Sequence, residues 1–278
     1  MKLSQEQINH YNFYGYLIIN ELFTKLEINK LKKEVKNFNK LKSLPSVICE
    51  NNGDIRSIFA PHKYSNYFHK LYLQKRLVEP AQSLIRDRVY LYQYKLNKKR
   101  AFTNDKWEWH QDFPYWYFDD GVKFPNMLSI MVLLQDTSIA QGPLIIIPGS
   151  HKKKIIEFQY KDHLHKDICK DKKVNLLNSL NGDLKYTIRK EKLKDLINKK
   201  GVVPCDGKIG TCIFFHPNLI HASNSNISPF DRDTAIITYN SINNSPTKTK
   251  NIRPDYLCSR YRTPIINTFL NLHKDFVL

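Results

Sequence analysis

The chain has 278 residues, of which 41% are hydrophobic and 12% aromatic, a composition typical of globular proteins and not of disordered or fibrous ones. Its apolar runs are far shorter than the roughly 20 residues that span a bilayer, and its first residues lack the apolar core of a secretory signal. The five cysteines include no CxxC spacing, which argues against a disulfide framework or a structural zinc site. We therefore predict no membrane partner and a cytoplasmic location.

The positive charge is large, with 44 Lys and Arg against 26 Asp and Glu, a net charge of +18. Such a charge suits a nucleic acid or another polyanion, and a basic nucleic-acid-binding module is the alternative from another functional class. That alternative requires basic residues clustered with aromatic ones. The lysines are scattered along the chain instead, so we predict no nucleic-acid partner.

The N-terminal residues 4–40 are predicted to form two helices. A capping box at Ser4 and another at Thr24, each with Gln or Glu three residues later, mark the two helix starts. Between them, residues 12–19 switch to a glycine-punctuated pattern of β-forming residues, which predicts a strand.

Short strands dominate the predicted structure after one further helix over residues 69–86. Runs of β-branched and aromatic residues bounded by turn residues predict strands at 89–96, 128–134, 144–147, 210–215 and 234–239. Short strands with a helical preface indicate a mainly β fold with flanking helices: a double-stranded β-helix of the jelly-roll, cupin-like type.

Domain organisation is predicted to be simple, with a single domain over residues 1–278. Residues 152–200 are dense in lysine and mostly polar, with one helix expected near residues 190–199. We interpret that segment as a helical insertion or lid on the domain.

The triplet His110-Gln111-Asp112 is the sharpest chemical feature of the sequence. On a strand, side chains two residues apart point to the same face, so His110 and Asp112 would converge. An imidazole nitrogen and a carboxylate oxygen suit Fe(II), and a facial triad needs one further histidine while leaving coordination positions open. Alone the triplet is a weak signal, because most such triplets occur by coincidence on protein surfaces.

Two histidines, His216 and His221, are candidates for the third ligand. His216 precedes a proline and is more simply explained as a residue that caps a strand end. His221 is followed by Arg232, 232 − 221 = 11 residues later. A guanidinium group can hold the far carboxylate of a dicarboxylate cosubstrate through two hydrogen bonds, although a lone arginine before a strand is ordinarily solvated. The spacing favours His221 without excluding His216.

Ordered motifs distributed over residues 4–262 strengthen this interpretation. They are Tyr14-Gly15-Tyr16-Leu17, Trp109 to Gly121, Gly142-Pro143-Leu144, Pro148 to Lys152, Gly207 to Thr211, His221 to Phe230 with Arg232, and Arg253-Pro254. With them the chain resembles the phytanoyl-CoA dioxygenase family of iron and 2-oxoglutarate oxygenases, and within it the ectoine hydroxylase branch.

The resemblance implies a role for each matching residue and implies Fe(II), 2-oxoglutarate and dioxygen as cofactors. His110, Asp112 and His221 would bind iron, and Arg232 with Ser223 would bind the distal carboxylate of 2-oxoglutarate. Further residues would line the two pockets: Gln93 and Asn97 for the cosubstrate, and Trp116, Phe113, Phe215, Lys95 and Ser129 for the substrate. Packing in the protein core is the ordinary role of the aromatic residues in this set.

Three departures from the ectoine hydroxylase pattern fall on substrate contacts: Lys95 replaces an arginine, Pro217 a small polar residue and Ile236 an aromatic one. We therefore predict a dioxygenase that hydroxylates a C–H bond of a small polar molecule, amino-acid-like or derived from a cyclic amino acid, such as ectoine. A larger carrier- or CoA-linked substrate, and desaturation or ring closure, are the enzymatic alternatives. The resemblance also allows a homodimer.

Overall fold

Two antiparallel sheets and a group of helices make up the computed structural model, which describes residues 1–50, 52–160, 184–247 and 253–266. The helices are α1 (Gln5–Tyr14), α2 (Lys25–Asn37), α3 (Asn66–Tyr72), α4 (Lys75–Ile85) and α5 (Lys190–Lys200). The strands are β1 (Tyr16–Ile19), β2 (Val47–Cys49), β3 (Ile55–Phe59), β4 (Val89–Lys99), β5 (Trp107–His110), β6 (Met127–Leu133), β7 (Leu144–Ile146), β8 (Phe158–Tyr160), β9 (Tyr186–Ile188), β10 (Val203–Cys205), β11 (Cys212–Phe215), β12 (His221–Ser223) and β13 (Arg232–Ser241).

The larger sheet has the strand order β1-β11-β6-β13-β4-β3-β2, and the smaller has the order β10-β7-β12-β5. From β4 to β7, and again from β10 to β13, successive strands alternate between the two sheets. This alternation is the arrangement of a double-stranded β-helix, so the predicted jelly-roll fold is confirmed. Strands β8 and β9 form a separate antiparallel pair.

The larger sheet is buried on both faces. Its side chains alternate between two apolar layers, one on each face. On β6, Leu128, Ile130 and Val132 pack with the helices. The intervening Met131 and Leu133 pack instead towards the smaller sheet. The interior between the two sheets therefore receives every second side chain of β4, β6, β11 and β13.

Both predicted capping boxes are present, at Ser4 for α1 and at Thr24 for α2. The Glu27 carboxylate accepts from the Thr24 backbone N–H and also pairs with the Arg76 guanidinium. Arg76 in turn lies over the Phe23 ring, 4.0 Å from its centroid. These contacts fix α2 against α4 on the outer face of the larger sheet.

Two boundary predictions were wrong. Residues 12–14 do not join the strand, because α1 continues to Tyr14 and ends at Gly15 with φ 81°. A Cβ at that glycine would also lie only 2.3 Å from the His151 ring. The helix predicted over residues 69–86 is divided into α3 and α4, because the backbone at Gln74 is extended, with ψ 126°.

The predicted insertion over residues 152–200 is described only in part, since residues 161–183 lie outside the described ranges. Its described ends form the β8–β9 pair and the helix α5, which agrees with the helix predicted near residues 190–199. Its role as a lid, and the single domain over 1–278, remain predictions.

Four of the five cysteines lie in the described ranges and are free thiols: Cys49, Cys205, Cys212 and Cys258. Within those ranges, every helix is too short or too polar to cross a lipid bilayer.

Candidate active site

Two histidines from neighbouring strands of the smaller sheet face each other. His221 of β12 is the register partner of His110 of β5, and their ring centroids are 4.2 Å apart. The Asp112 carboxylate oxygen Oδ1 lies 3.7 Å from His110 Nε2 and 3.9 Å from His221 Nε2. One candidate ligand atom from each residue lies within 4.8 Å of the other two, so the three could hold a single metal ion.

Asp112 reaches this position from beyond the end of β5, which stops at His110. The expectation that both residues lie on one strand was therefore wrong, although their side chains do converge. The buried Gln111 amide donates to the Asn218 carbonyl oxygen at 2.7 Å. It thereby ties the segment that carries Asp112 to the loop before His221.

The same Gln111 side chain binds a second loop. Its Nε2 donates to the Lys154 carbonyl oxygen at 3.0 Å, and its Oε1 accepts from the Ile156 backbone N–H at 2.9 Å. One buried amide thus joins three chain segments beside the candidate metal site. The sequence analysis assigned no role to Gln111, because its partners are backbone atoms that no sequence pattern reveals.

The imidazole rings are oriented by backbone carbonyl groups two residues before each histidine. His110 Nδ1 donates to the Glu108 oxygen at 2.6 Å, and His221 Nδ1 donates to the Leu219 oxygen at 2.9 Å. The hydrogen on Nδ1 leaves the Nε2 lone pair directed at the centre of the cluster. Burial lowers the pKa of His110 to about 3 and also lowers the pKa of His221, so both rings are neutral donors at neutral pH.

The carboxylate completes the donor set as an anion. Burial alone would raise the pKa of Asp112, but the neighbouring His221, Lys95 and His110 hold it below its ordinary value. Two neutral imidazoles and one carboxylate are the ligands of a facial iron(II) triad. The donor chemistry therefore fits the predicted metal.

His216, the other candidate ligand, lies outside this cluster. Its Nδ1 accepts from the Asn218 backbone N–H at 3.0 Å, and its ring lies 5.1 Å from that of His151. The structure brings His221, and not His216, to the His110-Asp112 pair.

A first small cavity adjoins the triad between the two sheets. Its walls include Arg232, Ser223, Asn97 and Phe215, four of the residues predicted from the resemblance. Arg232 is 3% exposed, and its buried Nε has no hydrogen-bond partner in the described part of the chain. A buried guanidinium group with an unused donor fits a carboxylate of a bound cosubstrate.

Lys99 is a further buried basic residue at this end of the site, which the sequence analysis missed. It is the register partner of Arg232 on the neighbouring strand, and it is 1% exposed. Its Nζ donates to Ser223 Oγ at 2.5 Å and to the Asn224 carbonyl oxygen. Burial and the adjacent Arg232 charge lower the pKa of Lys99 to about 6. The sequence signal for Lys99 was the alternation of polar residues along β4, at Gln93, Lys95, Asn97 and Lys99.

A second cavity lies on the other side of the triad. Its walls are Phe59, Gln93, Lys95, Trp107, His110, Asp112, Tyr115, Trp116, Leu184 and Arg253. Lys95 borders both cavities. Gln93, predicted for the cosubstrate, lies at this second cavity, where its Nε2 donates to the Leu257 carbonyl oxygen at 2.7 Å.

Arg253 brings a fixed positive charge to the second cavity. Its Nε donates to the Asp120 carboxylate at 2.6 Å, and its terminal nitrogen binds the second carboxylate oxygen. Tyr92 donates to the same carboxylate, whose side chain is 1% exposed. The sequence analysis used Arg253 only as part of a motif and did not predict this network.

Two predicted substrate contacts lie outside the walls of both cavities. Phe113 is buried in the apolar cluster around Trp116. Ser129 is fully buried, and its hydroxyl group lies 3.0 Å from that of Thr238 on the neighbouring strand. Their contact with a substrate remains a prediction.

Comparisons with known sequences and structures agree on one family. An L-proline trans-4-hydroxylase from Streptomyces griseoviridis is 29% identical over 252 residues, which cover 91% of each chain. An ectoine dioxygenase from Sphingopyxis alaskensis is 32% identical over 267 residues, covering 93% of this chain and 83% of that one.

Among solved structures, EctD from S. alaskensis with 2-oxoglutarate and 5-hydroxyectoine has a TM-score of 0.77 and 29% identity, and the match covers 95% of this chain and 89% of that chain. The phytanoyl-CoA dioxygenase (PhyH) family description matches residues 11–234. These findings confirm the resemblance and the predicted enzyme class, and the chain belongs to the phytanoyl-CoA dioxygenase family.

Proposed function

We propose that the chain is an Fe(II)- and 2-oxoglutarate-dependent dioxygenase that hydroxylates a small, amino-acid-like molecule. The observation that carries this proposal is the convergence of His110, Asp112 and His221 beside a cavity lined by Arg232, whose Nε has no hydrogen-bond partner among the described residues. The similarity to the ectoine dioxygenase and the proline hydroxylase supports it.

The triad would hold the iron. Neutral His110 and His221 present Nε2, and Asp112 presents an anionic oxygen, so three protein ligands leave further coordination positions open. When bound, iron with 2-oxoglutarate and dioxygen supplies the oxidising power that breaks a C–H bond. The protein supplies orientation and a buried environment, since the two histidine side chains are at most 8% exposed.

Arg232 would bind the distal carboxylate of 2-oxoglutarate. Ser223 would join it once its hydroxyl group turns from the Gly142 carbonyl oxygen, to which it donates at 2.9 Å. Lys99 donates to Ser223 Oγ and holds it in place. Because its pKa is lowered to about 6, Lys99 acts there as a hydrogen-bond donor and carries little charge at neutral pH. Asn97 would contribute its amide N–H group to the cosubstrate, because its carbonyl oxygen already accepts from Ser57 Oγ at 3.0 Å. Phe215 forms an apolar wall, with its ring centroid 5.4 Å from that of His221.

The substrate would occupy the second cavity. Arg253 and Lys95 offer positive charges for a substrate carboxylate, whereas Trp116 and Trp107 offer flat apolar walls. Gln93 adds its amide oxygen, since its Nε2 is used by Leu257. A cavity of only about 50 Å³ favours a compact zwitterion, such as a free or cyclic amino acid, over a carrier- or CoA-linked substrate.

The same organisation supports one catalytic domain. A single apolar cluster includes side chains from Tyr11 of α1 to Tyr239 of β13, so helices and sheet share one core. We propose that residues 1–278 form this one domain. A homodimer remains a prediction.

The decisive experiment is a substrate panel. Purified protein with Fe(II) and 2-oxoglutarate is offered L-proline, other free amino acids and ectoine, and succinate and hydroxylated products are measured by mass spectrometry. We expect coupled succinate release with at least one compact zwitterion. Absence of succinate with every compound, including uncoupled turnover, would contradict the proposed enzyme.

A further inference from the structure

A third cavity, larger than the other two, lies away from the triad at the edge of the larger sheet. Strand β3 ends at Phe59, and the chain turns away at Ala60, whose φ of 51° is unusual for a residue with a Cβ. The edge of β4 beyond that point is covered by the C-terminal segment 253–266, through the bond from Ser259 N–H to the Tyr92 oxygen. The space enclosed between β4, α3 and this segment has a volume of about 690 Å³.

Several wall residues of this cavity are aromatic. They include the rings of His62, Tyr72, Tyr94, Tyr256 and Tyr261. The His62 and Tyr94 rings are parallel, with centroids 5.8 Å apart, and Tyr261 is 78% exposed at the opening. Cavities of roughly 300–1,000 Å³ with apolar walls and a few polar groups are typical of sites for small organic molecules.

Two wall residues each carry a polar atom without a hydrogen-bond partner in the described part of the chain, Tyr94 Oη and His62 Nδ1, and neighbouring atoms close both off from the cavity. Tyr94 is only 1% exposed, so water does not readily satisfy its hydroxyl group. Burial raises the pKa of Tyr94 well above its ordinary value, and the group therefore remains a hydrogen-bond donor. Burial also lowers the pKa of His62 to about 4, so its ring is neutral at neutral pH.

The fixed charges at the cavity favour an anion. Lys63 and Arg260 are its cationic wall residues, and Asp255 is its acidic one. The Asp255 carboxylate already pairs with Arg260 Nε at 3.2 Å, whereas Lys63 has no ion pair within the described ranges. An incoming anion would thus meet net positive charge and no unpaired carboxylate.

We propose that this cavity is a second small-molecule site, which binds a planar organic anion. The flat body of the ligand lies against the aromatic rings, and its acidic group lies near Lys63. Gln93 lines both this cavity and the substrate cavity, and it is fixed by its bond to Leu257. A ligand in the second site therefore contacts a side chain that also faces the substrate.

Binding is tested with a matched pair of fluorescent probes on the full chain. 1-Anilinonaphthalene-8-sulfonate has the required flat rings and negative charge, and N-phenyl-1-naphthylamine has the same rings without the charge. We expect one saturable sulfonate site per chain and about tenfold weaker binding of the neutral probe. Equal affinities, or non-saturating surface binding of the sulfonate, would overturn the proposal.

Two variants locate the probe. Leu73→Trp fills the cavity and should abolish sulfonate binding, whereas Leu26→Trp, at a site 62% exposed on α2, should leave it unchanged. Wild-type binding by a folded Leu73→Trp protein would place the probe elsewhere and refute the assignment. Circular dichroism establishes whether each variant is folded.

Lys63→Gln provides a test that does not depend on filling the cavity. Loss of the unpaired positive charge at the cavity should weaken sulfonate binding by about fivefold and leave binding of the neutral probe unchanged. Unchanged sulfonate binding by Lys63→Gln would show that the cavity does not select an anion, and the proposal would fail.

Discussion

The metal end and the substrate end of the active site are built in different ways. His110 and His221 are register partners on adjacent strands, and backbone carbonyl groups fix both rings. The substrate cavity instead collects Trp116, Leu184 and Arg253 from separate segments, held by side-chain contacts. Backbone pairing tolerates sequence change better than side-chain networks do. We therefore expect the chemistry to be robust and the choice of substrate to be adjustable.

The largest expected effect comes from the metal end. Asp112→Ala should reduce succinate formation by more than about 100-fold, because it removes the anionic ligand itself. Loss of a residue that only orients a metal ligand already lowers metal affinity or activity by about 10–100-fold. Iron content and turnover are measured together. The exposed Asp206→Ala is the matched control. A variant that keeps its iron and its rate would remove Asp112 from the metal site.

Arg232 tests the cosubstrate cavity without altering the triad. Arg232→Ala should weaken 2-oxoglutarate binding by about 100-fold, since truncating one partner of a buried charge pair costs about 2–5 kcal/mol. Arg232→Lys should restore part of the affinity, because lysine keeps the charge but loses the two-pronged geometry. Calorimetry gives the affinity and metal analysis gives the iron content. Equal losses of both would show that the role was misassigned.

Asp120 tests the substrate end alone. Asp120→Asn removes the charge that fixes Arg253, so the KM for the substrate should rise by about tenfold while the affinity for 2-oxoglutarate stays unchanged. The exposed Asp195→Asn is the control. If KM and cosubstrate affinity change together, the two ends are not independent, and the contrast between them fails.

The smallest expected effect is on the stability of the fold, at Glu27, which lies outside both ends of the active site. Burial opposes ionisation of Glu27, but Arg76 and Thr24 outweigh it and lower its pKa below 4.5. A lowered folded-state pKa contributes stability above the unfolded value, and this stability is lost as the pH falls through the folded value. Glu27→Gln should thus lose about 1 kcal/mol at neutral pH. Its unfolding free energy should then depend less on pH below about 4.5 than that of the wild type. Identical acid dependence in urea titrations would contradict this role.

Sequence patterns predicted more residues of the metal end than of the substrate end. The predicted set of His110, Asp112, His221 and Arg232 depends on residue types whose chemistry is specific, and the structure places them together. Their roles in binding remain proposals. The Arg253–Asp120 pair joins residues 133 positions apart, and no local pattern reveals such a contact.

The fold was predicted in outline and missed in its shortest elements. β12 has three residues, His221–Ser223, too few to show a period of two, and it pairs with strands distant in sequence. At the other extreme, Phe13 and Tyr14 are β-forming residues that remain in α1, because the helix has its stop signal only at Gly15. Long-range strand pairing determined β12, and the helix stop at Gly15 determined the end of α1. Local propensity determined neither.

The Gln111 amide has a consequence for how the protein acquires its metal. By bonding to Asn218 in one loop and to Lys154 and Ile156 in another, it holds both loops against its own segment through contacts within the polypeptide. The ligand geometry is thus an intrinsic property of the folded chain and needs no ion as a template. Metal-free protein should accept different divalent ions reversibly, so that spectroscopically visible cobalt could report on the site.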